Sequence, residues 1–311
     1  MVILSGFLAR ANLSAIVLER EAPYAVHRGE TFLVRVIIQN RKRILPSISL
    51  SVEGTLYTLG AGYVLRLPPS QAVRIDVEHC FPRRGVYPLP DYRISSSFPF
   101  GFSEHRRMYV QPGEIVVYPK VYAVHTAAIE QHTGGRIIPR MRTNDGDEYV
   151  SLREYIPGDD IRLIAWRVSA RTGVWMVREM GFGNIRSILL LIDTSRGDTE
   201  DFEERFEEAM DAAASLAITL LHRQYTVGVC TASHSGVSLN KGTLQEKYIL
   251  DFLARIESDP EIGVADLEDK IRQLKNEPVR IVCLSPNSDR WASLDTQGLV
   301  QLVHPSEISH A

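Results

Sequence analysis

The stretch SILLLID, Ser187 to Asp193, is a continuous apolar run closed by an acid. A run of that kind fits a strand buried on both faces, as in a parallel sheet covered by helices. The residues downstream of it agree. Phe202, Phe206, Ala209, Ala213, Leu216 and Leu220 recur at steps of three and four, with Glu203, Glu204, Glu207, Glu208 and Asp211 largely opposite. That spacing predicts a helix with Asp198 or Thr199 as its cap and acids suited to the dipole of its first turn. Tyr225 to Thr231 (YTVGVCT) is the next buried strand. Thr243 and Glu246 form a T-x-x-E capping box before a helix that carries Leu244, Tyr248, Phe252 and Ile256 on one face. Leu267, Ile271 and Leu274 mark another helix, and residues 279–285 and 299–303 two more strands. Strand and helix alternate, so this half is an α/β domain with a mainly parallel sheet.

Upstream lies DGDEYVSLREYIPGDDIRLIAWRVSARTGVWMVREM, residues 145–180. Arg153, Glu154, Asp159, Asp160, Arg162, Arg167, Arg171, Arg178 and Glu179 are interleaved there with Leu152, Tyr155, Ile161, Ile164, Trp166, Val174 and Trp175. The mix predicts charges that pair with one another above packed aromatics and aliphatics. Pro157-Gly158 ahead of Asp159-Asp160 is turn chemistry, because Pro and Gly set the backbone and Asp accepts backbone hydrogen bonds. Two readings stay open for the network: a structural lock, in which removing one buried partner costs about 3–5 kcal/mol, and a binding surface.

From Glu19 to about Pro119 the period is two. Ile48, Leu50 and Val52 alternate with serines, Val73, Ile75 and Val77 with Arg74, Asp76 and Glu78, and Phe32, Val34, Val36 and Ile38 do so less cleanly. Short half-buried strands divided by Gly and Pro turns read as an open antiparallel β-sandwich. The predicted organisation is α+β in two domains: a β-sandwich over 1–118, a connector over 119–147 and the α/β domain with its charged segment over 148–311. The connector holds Gly134-Gly135, Pro139 and the basic residues Arg136, Arg140 and Arg142.

A chain of 311 residues, 44% hydrophobic and 23% charged, is an ordinary globular protein of about two domains. Its net charge of -3 offers no basic excess for nucleic acid. Cys80, Cys230 and Cys283 have no metal-ligand spacing, and the last two sit in apolar runs, as buried free thiols of a reducing compartment would. The opening MVILSGFLARANL is too short for a bilayer, which takes about 20 apolar residues, and lacks the features of a signal peptide. The chain as it stands is expected to be soluble.

Ligands of open α/β sheets bind beyond the carboxyl ends of the strands, which directs attention to Asp193, Thr194, Ser195 and Ser285 to Asp289. The run from Ile192 to Gly197 resembles the D-x-S-x-S opening of von Willebrand factor A domains, whose Asp and two Ser help hold a divalent cation. Asp193 and Ser195 match; Gly197 stands where the second Ser belongs, and Pro286 where a later Asp is expected. Hard cations need six or more oxygens, so the site is degenerate and the alternative role of Asp193 is to cap or pair. A triad of Ser195 with His222, His234 or His304 and Asp289 lacks a G-x-S-x-G elbow, and H-E-x-x-H, C-x-x-C, P-loop and G-x-G-x-x-G motifs are absent.

The order Leu152-Arg153-Glu154-Tyr155, Pro157-Gly158-Asp159-Asp160, Arg162, Ile164, Trp166 and Ser169-Ala170-Arg171, then Val177-Arg178-Glu179 and a strand ending in Asp, resembles the DUF58 family. Residues 6–13, 83–87 and 97–102 fit the same resemblance; Ala165, where a polar residue often precedes the Trp, departs from it. The resemblance implies a β-sandwich followed by a von Willebrand factor A-like domain, with membrane helices ahead of it and this region cytoplasmic. It also implies a non-enzymatic adaptor working with a MoxR-type AAA+ ATPase in protein maturation, with no resident cofactor. The alternative is a metal-dependent receptor or hydrolase using Asp193 and Ser195.

Overall fold

The computed structural model describes residues 10–99, 101, 104–124, 148–181, 187–197, 200–234, 236–274, 279–286 and 300–303, together with Leu8. The chain divides into two compact units, the main division falling between Lys120 and Val121.

The first unit is built of mainly antiparallel sheets. Strands β1 (Ile16–Glu21), β3 (Thr31–Asn40) and β6 (Ala72–Cys80) form one, in the order β1-β3-β6. A second has the order β5-β4-β8-β9, from β4 (Ser47–Gly54), β5 (Ala61–Leu67), β8 (Tyr92–Ser96) and β9 (His105–Tyr109). In the third, β10 (Glu114–Tyr118) lies parallel to β2 (Ala25–His27) and antiparallel to β7 (Gly85–Pro88). Val34, Val36, Ile38 and Val77 of the first sheet and Leu50, Val52, Tyr92 and Ile94 of the second share one core. Each such side chain contributes about 1.5–3 kcal/mol relative to exposure. The expected alternation holds along β3 and β6. It fails at the start of β4, where Ser47 is fully buried and Ile48 only half-buried. Ser49 takes a left-handed φ of 54°, and a residue outside the extended region breaks the two-residue rhythm.

Polar side chains inside this unit satisfy backbone groups, Asn12 and His79 among them. Asn12 behaves as a strand partner for Ile48: its Oδ1 accepts from Ile48 N at 2.8 Å and its Nδ2 donates to Ile48 O at 2.8 Å. His79 is fully buried; Nδ1 faces Leu56 O at 2.9 Å and Nε2 faces the Tyr92 hydroxyl at 2.8 Å. A carbonyl can only accept, so Nδ1 carries the proton and Nε2 accepts from Tyr92. The ring sits so close to Gly54 that a Cβ there would lie 2.6 Å from His79 Cε1.

Burial pushes the His79 pKa below its ordinary value of 6.5, with the backbone contacts opposing. The folded state therefore holds a neutral ring, while the unfolded chain takes up a proton near 6.5. Stability from this site is complete above that value and declines as pH falls below it. The urea midpoint should drop between about pH 7 and pH 5, and His79→Gln should flatten that dependence; an unchanged slope in the variant would assign it to other groups.

The second unit carries the parallel sheet. Its order is β15-β14-β13-β16-β17, from β13 (Ser187–Ile192), β14 (Thr226–Thr231), β15 (Val237–Asn240), β16 (Arg280–Leu284) and β17 (Val300–Val303). All neighbours are parallel except β15, an antiparallel edge strand on β14 that the periodicity did not reveal. Central β13 is the expected buried run: Leu190, Leu191 and Ile192 are fully buried. Cys230 and Cys283 flank Leu191 on the two neighbouring strands as free, buried thiols, and burial pushes Cys230 up to about 11.

Helix α2 (Phe202–His222) buries its predicted face, but Asp211, expected on the polar side, is buried too. Asp201 is its N-cap residue; Asp198 and Thr199 lie outside the described residues. Helix α3 (Thr243–Arg255) already includes Thr243, which the capping box would place ahead of the first turn: Gly242 is the N-cap and no side chain caps it. Its rotation also differs from the expected one. Gln245, Ile249 and Leu250 are buried, whereas Leu244 and Tyr248 are exposed. Gln245 Nε2 donates to Val227 O and Ser238 O, each at 2.7 Å, and those bonds to the β14–β15 hairpin fix which side faces inward. Helix α4 (Val264–Leu274) packs Leu267, Ile271 and Leu274 as expected. No described helix is long and apolar enough to cross a membrane.

Candidate functional site

Residues 148–181 form a hairpin module. Strands β11 (Glu148–Glu154) and β12 (Met176–Gly181) pair antiparallel, and the connection between them carries a 3-10 turn (Ile161–Leu163) and the short helix α1 (Trp166–Thr172). Ser169 is the staple. It is buried, its Oγ donates to Ala165 O at 3.1 Å and accepts from Met176 N at 2.9 Å, so helix and strand are held by one hydroxyl. Gly173 ends the helix at a left-handed φ of 76°, where a Cβ would be strained. Ala165 N donates to Met176 O at 2.8 Å, and Tyr155 N to Trp175 O at 2.8 Å.

The charges in the Pro157-Gly158 turn are engaged by the backbone and by one ion pair. Arg153 grips Asp159 with two bonds of 2.6 Å, and Asp159 Oδ2 also accepts from Ile156 N at 2.9 Å. Arg153, first, and the Ile156 amide hold the Asp159 carboxyl down to about 2. Asp160 caps the 3-10 turn by accepting from Arg162 N at 2.9 Å. Glu154, Pro157, Gly158, Arg162 and Arg171 are exposed.

The aromatics do not pack beneath these charges, contrary to the expectation from their interleaving. Trp166 is 60% exposed and Trp175 58%, and Ile156, Ile161 and Val174 are exposed as well. Ile164, Ala165, Ser169 and Val177 are the buried residues of the module among those described, which leaves the tryptophans outside. Tyr155 leans edge-on against Trp175, ring centroids 5.5 Å apart. An antiparallel bridge joins Ile164 to Val177, and the Ala165–Met176 bond continues it, so Trp166 and Trp175 follow at the same end of the module.

At the carboxyl ends of the parallel strands, Asp193, Ser195 and Ser285 come together. All three are buried. Asp193 Oδ1 accepts from Ser195 N at 2.8 Å and Ser195 Oγ at 2.6 Å, and Oδ2 accepts from Ser285 Oγ at 2.6 Å. This is one carboxylate surrounded by donors. The set does not fit a hard cation: Gly197 adds no side-chain oxygen, and no group of three His, Cys, Asp or Glu side chains among the described residues could hold a metal. Of the described triad candidates, Ser195 Oγ donates to Asp193, His222 meets Glu246 at 3.7 Å and His234 Nδ1 meets Ser233 Oγ at 2.8 Å. Asp289 and His304 lie outside the described residues, as do Arg136, Arg140 and Arg142.

The hairpin and the strand-end cluster both fall within one recognised stretch. Residues 151–285 match the family model described as Protein of unknown function DUF58. This stretch is a DUF58 family domain. Among curated proteins none matches the chain. The DUF58 domain takes in β13 to β16 and all of the hairpin except the first residues of β11. Ser285, at its last position, was legible as a strand end, but its bond to Asp193 spans 92 residues and had no local signal. Trp175, Arg167 and Arg178 belong with the exposed hairpin residues, and two tryptophans within ten positions among arginines were the signal for them.

Proposed function

We propose that the chain is a non-enzymatic interaction module that works as an adaptor for a MoxR-type AAA+ ATPase in protein maturation, and that the hairpin face of its DUF58 domain is the docking surface. Exposure of Trp166 and Trp175 on a stapled scaffold carries this reading. Tryptophan and arginine dominate the binding energy of protein interfaces, and a rigid carrier lowers the ordering cost of binding. A β-sandwich for the first unit, whose two larger sheets share a core, and a von Willebrand factor A-like sheet for the second are the architecture this reading adopts.

In this proposal Asp193 serves the fold, tying the ends of β13 and β16. Calorimetric titration with magnesium and manganese should give no saturable heat; micromolar binding abolished by Asp193→Ala would overturn that assignment. The adaptor reading is tested by nucleotide-dependent pull-down of the ATPase. Trp166→Ala with Trp175→Ala should abolish capture at an unchanged melting temperature, because both side chains are exposed and substitutions at such sites stay within about 0.5 kcal/mol. A wild-type chain that captures nothing with either ATP or ADP present would sink it.

A further inference from the structure

We infer that the exposed hairpin face of residues 148–181 receives an acidic protein segment with apolar anchors. The inference rests on the proposed interaction role and names the chemistry of the partner. Arg162, Arg167, Arg171 and Arg178 are exposed, and among the described residues none of their guanidinium groups makes an ion pair or hydrogen bond. Of the acids nearby, Asp159 is held by Arg153 and Asp160 caps the 3-10 turn, while Glu154 is exposed. Residues 148–181 balance five arginines with five acids, but α1 carries Arg167 and Arg171 and no acid, so positive charge is concentrated on the exposed side of that helix. Arginine forks match carboxylates two bonds at a time, so the complementary surface is acidic.

Trp166, Trp175, Ile156 and Ile161, each about 60% exposed, supply the apolar half. Arg167 and Arg171 stand four residues apart on α1, next to Trp166, so charge and anchor sit on one short helix. A protein segment suits the face better than a polyanion. Four arginines are fewer than the six to ten phosphate contacts of nucleic-acid binders. The exposed carboxylates of Glu154 and Asp160 would repel a phosphate chain or an anionic bilayer, whereas a protein segment can answer them with a cation of its own.

The test uses the full chain and a fluorescein-labelled synthetic peptide alternating glutamate with leucine and phenylalanine. Two of the three tryptophans of the chain lie on this face, so their emission reports binding directly. Wild type should bind with a blue-shifted emission; Arg167→Glu with Arg171→Glu should weaken binding about tenfold or more, with the melting temperature unchanged. A peptide with lysine in place of glutamate should not bind. No binding of the acidic peptide, or equal binding by the charge-reversed chain, would overturn the inference. So would a preference for oligouridylate or for phosphatidylserine vesicles over the peptide. If the charge-reversed chain still captures the ATPase, the adaptor reading stands and this face is not its surface. If wild type binds the peptide but captures no ATPase, the partner in that reading falls and the chemistry of the face remains.

Discussion

Asp193→Ala should destabilise the second unit by about 3 kcal/mol or more, because three buried donors lose a charged acceptor together. Ser195 N, Ser195 Oγ and Ser285 Oγ all point at this carboxylate, at 2.6–2.8 Å. The two hydroxyls can rotate toward other acceptors; the Ser195 amide cannot. The substitution also loosens the side-chain link between the ends of β13 and β16, leaving the backbone bond from Asp193 N to Leu284 O at 2.9 Å. Asp193→Asn keeps an acceptor for Ser195 and can donate to the Ser285 hydroxyl, so it should cost only about 1 kcal/mol. Urea unfolding measures both, and thiol labelling assigns the loss to this unit, since Cys230 and Cys283 are buried there and burial raises both thiols. Labelling of the two thiols should quicken in the Ala variant. An Ala variant within about 0.5 kcal/mol of wild type would show that the cluster does not hold the sheet.

Much of the fold was legible because each element carries its own signal. The apolar run of β13 and the three-and-four spacing of α2 need only the residues within them. The partition of the first unit into three sheets had no such signal. β10 pairs with β2 and β7 in opposite senses, and such pairings depend on residues far apart in sequence. Local rhythm also misled where a single residue overrode it: the left-handed Ser49 at the start of β4, and Gln245, whose two backbone bonds turn α3 away from its Leu244 and Tyr248 stripe.

The hairpin shows the same division. Its Pro-Gly turn and the carboxylates that serve the turn were readable, because Asp159 and Asp160 act on amides within three residues. Exposure was not readable. An apolar residue among charges predicts burial only when a core exists to receive it, and a two-stranded ribbon with a seven-residue helix is too small. Ile164, Ala165, Ser169 and Val177 fill the inner side, so both tryptophans stay in solvent. That exposure, which patterning could not supply, is the observation on which the proposed docking role rests.

Arg20→Met should cost the first unit about 3 kcal/mol or more, because three backbone carbonyls lose a charged donor together. The Arg20 side chain is 5% exposed in β1, and its guanidinium donates to Leu89 O at 3.1 Å and to the carbonyls of Pro90 and Gln111. Those carbonyls belong to the connections between β7 and β8 and between β9 and β10, so one side chain clasps both to β1. Burial lowers the Arg20 pKa and Asp91 opposes it, yet arginine remains charged at any working pH. Methionine keeps the stem and its packing while leaving three carbonyls without their donor. Lysine cannot span both connections with one ammonium, so Arg20→Lys should recover only part of the loss. Asp91 is 30% exposed and 3.6 Å from the guanidinium, a geometry in which an ion pair adds about 1 kcal/mol or less. Asp91→Asn should therefore be mild, and comparing the two separates the carbonyl contacts from the ion pair. Chemical denaturation followed by labelling of Cys80 in this unit provides the measurement. A methionine variant that unfolds at the wild-type midpoint would mean that water replaces the guanidinium at no cost, and the connections would then owe their positions to the sheets alone.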